Sequence, residues 1–175
     1  MQNFFTFDGI SFYEILGYHF TMDNKVEINL RRIREVYGYK PNSGFMLMPF
    51  SDTSLKDFYE GQIKNFLKSE MNIDILRADD FCDNDLIVDT IYSQIENSEF
   101  IIAEISELNK NVFYEIGYAA AKQKDIIMIL QAGKEPSFFD RSHIRWIEYS
   151  IKYPEPFKKQ ITETIKSIRN KRSSI

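Results

Sequence analysis

From Gly44 onward the chain alternates short apolar runs with longer amphipathic stripes, and this alternation limits the possible folds more than any single residue does. Phe45–Met48 (FMLM) is an unbroken apolar run closed by Pro49-Phe50. After it, Leu55, Phe58, Tyr59, Ile63, Phe66 and Leu67 keep to one helical face, with Thr53 or Ser54 available as a cap. A short strand, Ile73–Leu76, leads into Arg77-Ala78-Asp79-Asp80, and a second helix carrying Ile87, Ile91 and Ile95 follows Asp83 or Asn84. Phe100–Ala103 is the next strand, and a helix is expected from Asn111 through Lys122. Ile126–Leu130 (IIMIL) is the most apolar run. His143–Tyr149 (HIRWIEY) alternates more and reads as an edge strand, and a last helix carries Phe157, Ile161, Ile165 and Ile168.

Apolar strands separated by amphipathic helices predict a parallel sheet, because each crossover lays a helix on a sheet face. The expected class is α/β: three layers, with a five-stranded parallel flavodoxin-like sheet of order 2-1-3-4-5 and helices on both faces. In such sheets ligands sit outside the carboxyl ends of the strands, at the switch point between strands 1 and 3. The loops that matter are therefore Pro49–Ser54, Asp79–Asp85, Glu104–Asn111 and Gln131–Ser142. Residues 1–43 lie outside the repeat. Phe7-Asp8-Gly9-Ile10 carries a hairpin signal, and Val26, Leu30, Ile33 and Tyr37 give a short helical stripe. The expected organisation is an N-terminal extension over 1–43, a candidate oligomer contact, and one domain over 44–175.

Composition narrows the function classes. The 175 residues are 43% hydrophobic, enough for a full core in one domain. A net charge of −4 disfavours nucleic-acid duplex binding, which needs clustered positive charge. A single cysteine, Cys82, rules out an intrachain disulfide and a thiolate metal cluster. The start lacks the basic and apolar regions of a signal peptide, and no apolar stretch approaches the ~20 residues that span a bilayer. The expectation is a soluble, cytoplasmic protein.

Several uses of this fold are disfavoured by the loops themselves. No G-x-G-x-x-G and no Walker-type loop occurs. After the first strand, Asp52 and Asp57 stand among Ser51, Thr53 and Ser54, where acids would repel a flavin phosphate. A phospho-receiver's acidic pair is replaced there by Met48-Pro49-Phe50. The acidic run 79–85 lacks the turn glycine and the distant bidentate glutamate of a calcium loop, so no metal is expected.

The informative stretch is Asn109-Lys110-Asn111-Val112-Phe113-Tyr114-Glu115-Ile116-Gly117. With Asn111 as N-cap, Glu115 falls in or just beyond the first turn, where the helix dipole favours an ionised carboxylate. Burial of Val112, Phe113, Ile116 and Ala120 would turn Glu115 off the core, and Gly117 would allow a close approach. A carboxylate held beside a pocket can attack the anomeric carbon of a sugar and split N-glycosidic cleavage into two easier steps. The plain alternative is a glutamate placed there because the dipole favours it.

Together with Phe45–Phe50, Arg77-Ala-Asp79, Ile101-Ile-Ala-Glu104 and Phe139–Arg145, this block resembles the nucleoside 2-deoxyribosyltransferase-like family, which is related in fold to TIR domains. The similarity spans about residues 44–150. It implies that Glu115 is the catalytic carboxylate, nucleophile or stabiliser of an oxocarbenium-like transition state. Glu104-Ile105-Ser106 stands where the family usually opens Asp-Leu-Thr. The extra methylene at Glu104, implied as the second catalytic acid, matters because reacting geometry is sensitive to shifts of that size. Pro49 and Phe50 match the loop against the base, where Phe50 would stack, and Asp79 a polar position after strand 2; Asn109 and Asn111 would hold the segment around the glutamate or reach sugar hydroxyls. Tyr114 would help enclose the site, and Arg141 would contact a phosphate. Each has a structural alternative: Phe50 as core, Asp79 paired with Arg77 or capping the next helix, Arg141 and Arg145 as surface charges. Likewise His143 reads as structural, Trp146 and Tyr149 as core aromatics, and the basic last helix (Lys158, Lys159, Lys166, Arg169, Lys171, Arg172) as a solvated face.

The resemblance implies cleavage or transfer across the N-glycosidic bond of a nucleoside, nucleotide or NAD. NAD would be a substrate, with no cofactor, and the protein would work as a homo-oligomer in bacterial nucleotide metabolism or antiviral defence. The alternative is a non-catalytic, nucleotide-sensing or self-assembling TIR-like module.

Overall fold

The computed structural model describes residues 6–7, 10–11, 19–20, 26–27, 40–49, 53–80, 87–135 and 145–173. Four two-residue strands come first: β1 (Thr6–Phe7), β2 (Ile10–Ser11), β3 (His19–Phe20) and β4 (Val26–Glu27). β1 pairs antiparallel with β2, Phe7 opposite Ile10, which is the pairing expected around Asp8-Gly9. β3 pairs antiparallel with β4. Val26 therefore lies in a strand and does not open a helix; the rest of that stripe, Leu30, Ile33 and Tyr37, lies outside the described residues. A β-branched residue is stiff at χ1 and is readily taken by a strand when a cross-strand partner is present.

The repeating part then follows in chain order. β5 (Lys40–Leu47) leads into α1 (Thr53–Phe58), a π-helical stretch (Tyr59–Lys64) and α2 (Asn65–Met71), which run on without a break. Next come β6 (Asp74–Arg77), a 3-10 turn (Ala78–Asp80), α3 (Ile87–Asn97) and β7 (Ser98–Glu104). α4 (Lys110–Ala121), β8 (Ile126–Gln131), β9 (Trp146–Tyr149) and α5 (Glu155–Ser173) complete it. The sheet order is β6-β5-β7-β8-β9 with every pair parallel, which is the 2-1-3-4-5 flavodoxin-like arrangement.

The pleat explains the three layers. Met46 and Met48 point to one face, where Leu55, Phe58, Tyr59, Ile63 and Leu67 meet Phe157, Ile161 and Ile165 of α5. Phe45 and Leu47 point to the other, against Ile91 and Ile95 of α3 and Val112, Ile116 and Ala119 of α4. All seven residues of β7 are buried, as suits the central strand of a sheet covered on both sides. Gly44 is where β5 lies closest to its neighbours: a Cβ there would stand 2.5 Å from Ile75 Cδ1 and 2.9 Å from Phe100 Cε2. Among the described residues, no helix is long and apolar enough to cross a membrane.

One strand boundary differs from the sequence expectation. β5 starts at Lys40, so its first four residues fall inside the expected extension. They were not visible as a strand because Lys40, Pro41 and Asn42 are exposed and polar or imino, and the register against β7 shifts between Lys40 and Gly44. At the opposite pole from the strand-end loops, Asn42 takes φ 57° and its N–H donates to Glu99 at 2.8 Å. Glu99, 6% exposed, also accepts from Arg169 Nε at 2.9 Å and Nη2 at 2.8 Å, while Arg172 pairs with Asp125 and donates to the Glu99 carbonyl. Arg169 and Arg172 thus fasten the end of α5 to the sheet, and are not part of a merely solvated basic face.

Candidate active site

The loops at the carboxyl ends of β5, β6 and β7 carry most of the residues singled out above. α4 is started by Asn109, whose extended backbone (φ −82°, ψ 110°) lets its side-chain oxygen accept from Asn111 N–H at 3.0 Å and Val112 N–H at 3.2 Å. Asn109, and not Asn111, is therefore the N-cap, and Asn111 is an exposed first-turn residue. Glu115 becomes the sixth residue of the helix, in its second turn, where the dipole has largely faded.

The buried stripe of α4 also differs from expectation. Val112, Ile116 and Ala119 are buried, Phe113 is partly so, and Ala120 is exposed. At about 100° per residue, this stripe leaves Glu115 on its flank, roughly 65° from its centre, and not turned away from the core. Glu115 is accordingly half-buried. Burial pushes its carboxyl up to about 7, so the surroundings work against ionisation, the reverse of the dipole argument. Among the described residues Glu115 has no hydrogen-bond donor and no cation paired with it. Gly117 is exposed, and a Cβ there would meet nothing within 4 Å, so no close approach requires it.

A tyrosine cluster flanks this carboxyl across the gap between α3 and α4. The neighbouring Tyr114 phenol first, then desolvation and the charges of Tyr118 and Glu115, push the Tyr92 phenol up to about 12. Tyr92 also stacks on Tyr118 with ring centroids 4.2 Å apart, and the Tyr118 hydroxyl reaches Glu96 at 2.5 Å. Tyr114 itself is 68% exposed.

Glu104 closes β7 in a different environment. It is 1% exposed, and its Oε1 accepts from the Ser106 N–H at 3.0 Å and from the Tyr149 hydroxyl at 3.1 Å. Burial raises its carboxyl above the usual range, against the lowering effect of those hydrogen bonds. The glutamate expected to act beside Glu115 therefore has one oxygen engaged in the sheet's own polar network.

Asp79 accepts from both Nε and Nη2 of Arg77, so its structural alternative, the pairing with Arg77, is realised. Arg77 is 2% exposed and lies 5.6 Å over the Tyr59 ring. Asp80 caps the turn by accepting from the Arg77 N–H at 2.9 Å and from Lys64 at 3.1 Å. Pro49 is buried at the end of β5. Trp146 is partly buried against the core and Tyr149 is 3% exposed, as core aromatics should be. Phe50, Arg141 and His143 lie outside the described residues, as do Cys82 and the helix-cap candidates Asp83 and Asn84.

Sequence reasoning passed over Tyr92 and the Tyr149–Glu104 bond. Tyr92 sits one residue after Ile91 on the α3 stripe and could have been placed beside α4 from helical period alone. The Tyr149–Glu104 contact spans 45 residues and leaves no spacing signal.

No family model matches the chain, and no curated protein matches it. Among solved structures it is similar to a 2-desoxiribosyltransferase from Leishmania mexicana, at 19% identity and a TM-score of 0.45. The match covers 51% of this chain and 65% of that one, so it spans about half of the residues here and less than two thirds of the neighbour.

Proposed function

We propose that the chain cleaves, or transfers across, the N-glycosidic bond of a nucleoside, a nucleotide or NAD, with Glu115 as the catalytic carboxyl. The observation that carries this reading is a half-buried glutamate with no counter-ion among the described residues and a carboxyl lifted to about 7. An isolated carboxylate in a desolvated setting is costly in the free protein, and that cost is relieved when positive charge develops beside it. A sugar losing its base supplies such charge at C1′ and the ring oxygen. Stabilisation that appears only as the bond breaks is what lowers a barrier. The resemblance of the Asn109–Gly117 block to the deoxyribosyltransferase-like family supports the same assignment.

In this mechanism the ionised Glu115 oxygen bonds to C1′ as the C1′–N bond breaks and the base leaves with the bonding pair; an ordinary nucleobase takes up a proton from solvent, whereas nicotinamide departs from its cationic ring already neutral. Water, giving up a proton to solvent, or a second base in a transfer, then attacks C1′, and Glu115 is released as carboxylate. The value near 7 keeps a large share of the carboxyl ionised at neutral pH while leaving it protonated in acid, so turnover would rise as pH climbs through about 7. Asn109 sets the start of α4, and Tyr92 and Tyr114 wall the side facing α3.

Glu104 gives some weight to a second reading, a non-catalytic module that recognises a nucleotide. One oxygen of its carboxyl accepts from Ser106 and Tyr149, and a Glu104 occupied in this way would leave Glu115 without the second acting carboxylate implied by the resemblance. One experiment separates the two: incubation with a panel of nucleosides, nucleotides and NAD, followed by chromatography for free base. Base release by the wild type that is lost in Glu115→Gln supports the enzyme. Ligand retained intact through a long incubation supports the module, and equal release by both proteins refutes the role of Glu115.

A further inference from the structure

Glu104 and Tyr149 lie at the carboxyl ends of the central strand and an edge strand, and their contact joins elements that the backbone does not. From the Glu104 carboxyl, one bond returns to the Ser106 N–H at 3.0 Å and one reaches the Tyr149 hydroxyl at 3.1 Å. Ser106 Oγ in turn accepts from the Gln131 N–H at 2.7 Å, which ties the same loop to the end of β8. The Tyr149 ring is stacked on Phe58 of α1 at 4.5 Å and lies edge-on to Phe157 of α5 at 6.1 Å, so the hydroxyl is presented from a fixed position. Three residues beyond Ser106 stands Asn109, the cap that starts α4 and so sets the depth of Glu115.

We infer that Tyr149 and Glu104 are positioning residues for the Glu115 site: the Tyr149 hydroxyl holds the Glu104 carboxyl, which pins the 105–109 loop and hence the start of α4. The inference rests on the proposed reaction for its kinetic consequence, but its structural core does not. Glu104 is sealed from ligand at 1% exposure and works here as a hydrogen-bond acceptor, not as a charge beside the sugar. A glutamine carbonyl oxygen can accept the same two bonds. A phenylalanine at 149 keeps the stacked ring and removes only the donor.

The test uses Tyr149→Phe and Glu104→Gln in the full chain, with amide hydrogen exchange over residues 105–113 and kinetics of base release. One buried hydrogen bond corresponds to about a tenfold change in an equilibrium. Tyr149→Phe should therefore speed exchange in 105–113 by about tenfold and lower kcat by about the same factor, with KM within about twofold. Exchange in β5 and α5 should be unchanged, which a general loss of stability would not allow. Glu104→Gln should stay within about threefold of wild type in both measurements. The inference is overturned if Tyr149→Phe leaves exchange in 105–113 at the wild-type rate. It is overturned equally if Glu104→Gln abolishes turnover while the loop stays protected, because the charge would then be acting on substrate. Should the wild type release no base from any substrate, the proposed reaction fails, and the exchange comparison alone decides the clamp.

Discussion

Replacing Glu115 by glutamine should make the protein more stable, with a gain that sets in above the carboxyl's ordinary value and is full above about 7. In the unfolded chain this carboxyl titrates at its ordinary value of 4.5, and in the folded protein burial lifts it to about 7. Below the lower value both states hold the proton, and the group contributes no pH dependence. Between the two, the unfolded chain has released its proton while the folded protein keeps it, so the folded state binds more protons and stability falls as pH rises. Above about 7 both states are ionised and the loss is complete. At ~1.4 kcal/mol per pH unit the interval amounts to about 3 kcal/mol. Partial exposure lets water screen the charge and reduces this to about 1.5–2 kcal/mol. Glutamine has nothing to ionise and escapes the loss. Urea unfolding with linear extrapolation, at constant ionic strength and at about pH 4, 6 and 8, measures the difference between the two proteins. Every other titrating group, Glu104 included, is present in both and cancels. The expected gap grows from near zero in acid to about 1.5–2 kcal/mol in favour of Glu115→Gln at about pH 8. A gap that stays flat within about 0.5 kcal/mol, or that favours wild type at high pH, would refute the reasoning, because it would mean that the carboxylate is hydrated or paired with a cation.

Three further substitutions test the frame around the site. Glu99→Ala leaves Arg169 and Arg172 without their shared buried carboxylate; because both arginines keep some exposure, the cost should be about 2–3 kcal/mol, read as a lower urea midpoint, and a loss under about 0.5 kcal/mol would show that α5 is held by its apolar face alone. Asn109→Ala removes the cap of α4 and should cost about 1 kcal/mol, whereas Asn111→Ala should be near neutral; thermal melts of the two variants giving the opposite order would return the cap to Asn111.

Much of the fold was legible because its strands are buried on both faces and so appear as bare apolar runs. FMLM and IIMIL need no periodicity to be found, and the Leu55–Leu67 stripe is a helix even through its π-helical turn, since 55, 58, 59, 63 and 67 remain on one side. What failed to show has particular physical causes. The polar start of β5 carries no apolar signal, and its path is set by Glu99 receiving the Asn42 N–H, 57 residues away. Asn109 and Asn111 are equally good caps by residue type, and only the extended backbone of Asn109 decides between them. Ala119 and Ala120 are the same residue in sequence terms, yet which one packs rotates the helix by about 100° and determines whether Glu115 flanks the core or leaves it. Of the site, the block around Glu115 was readable as a motif, while the state of its carboxyl was not, because desolvation is a property of neighbours brought in by the fold.

The contrast between Glu115 and the other acids around the sheet is the strongest structural reason to look for chemistry there. Glu99 has two arginines, Asp80 has Lys64 and a backbone N–H, and Asp79 has both nitrogens of one edge of Arg77. Glu104, the most buried of them, has a tyrosine hydroxyl and a backbone N–H. This chain thus provides partners for these acids, buried or not, using residues from as far as 73 positions away for Glu99. A fold selected only for stability would treat Glu115 the same way, or would replace it with glutamine at no cost in shape. A single carboxyl kept desolvated without a cation among the described residues is a local departure from an otherwise consistent pattern, and such departures concentrate where a protein does work on a ligand.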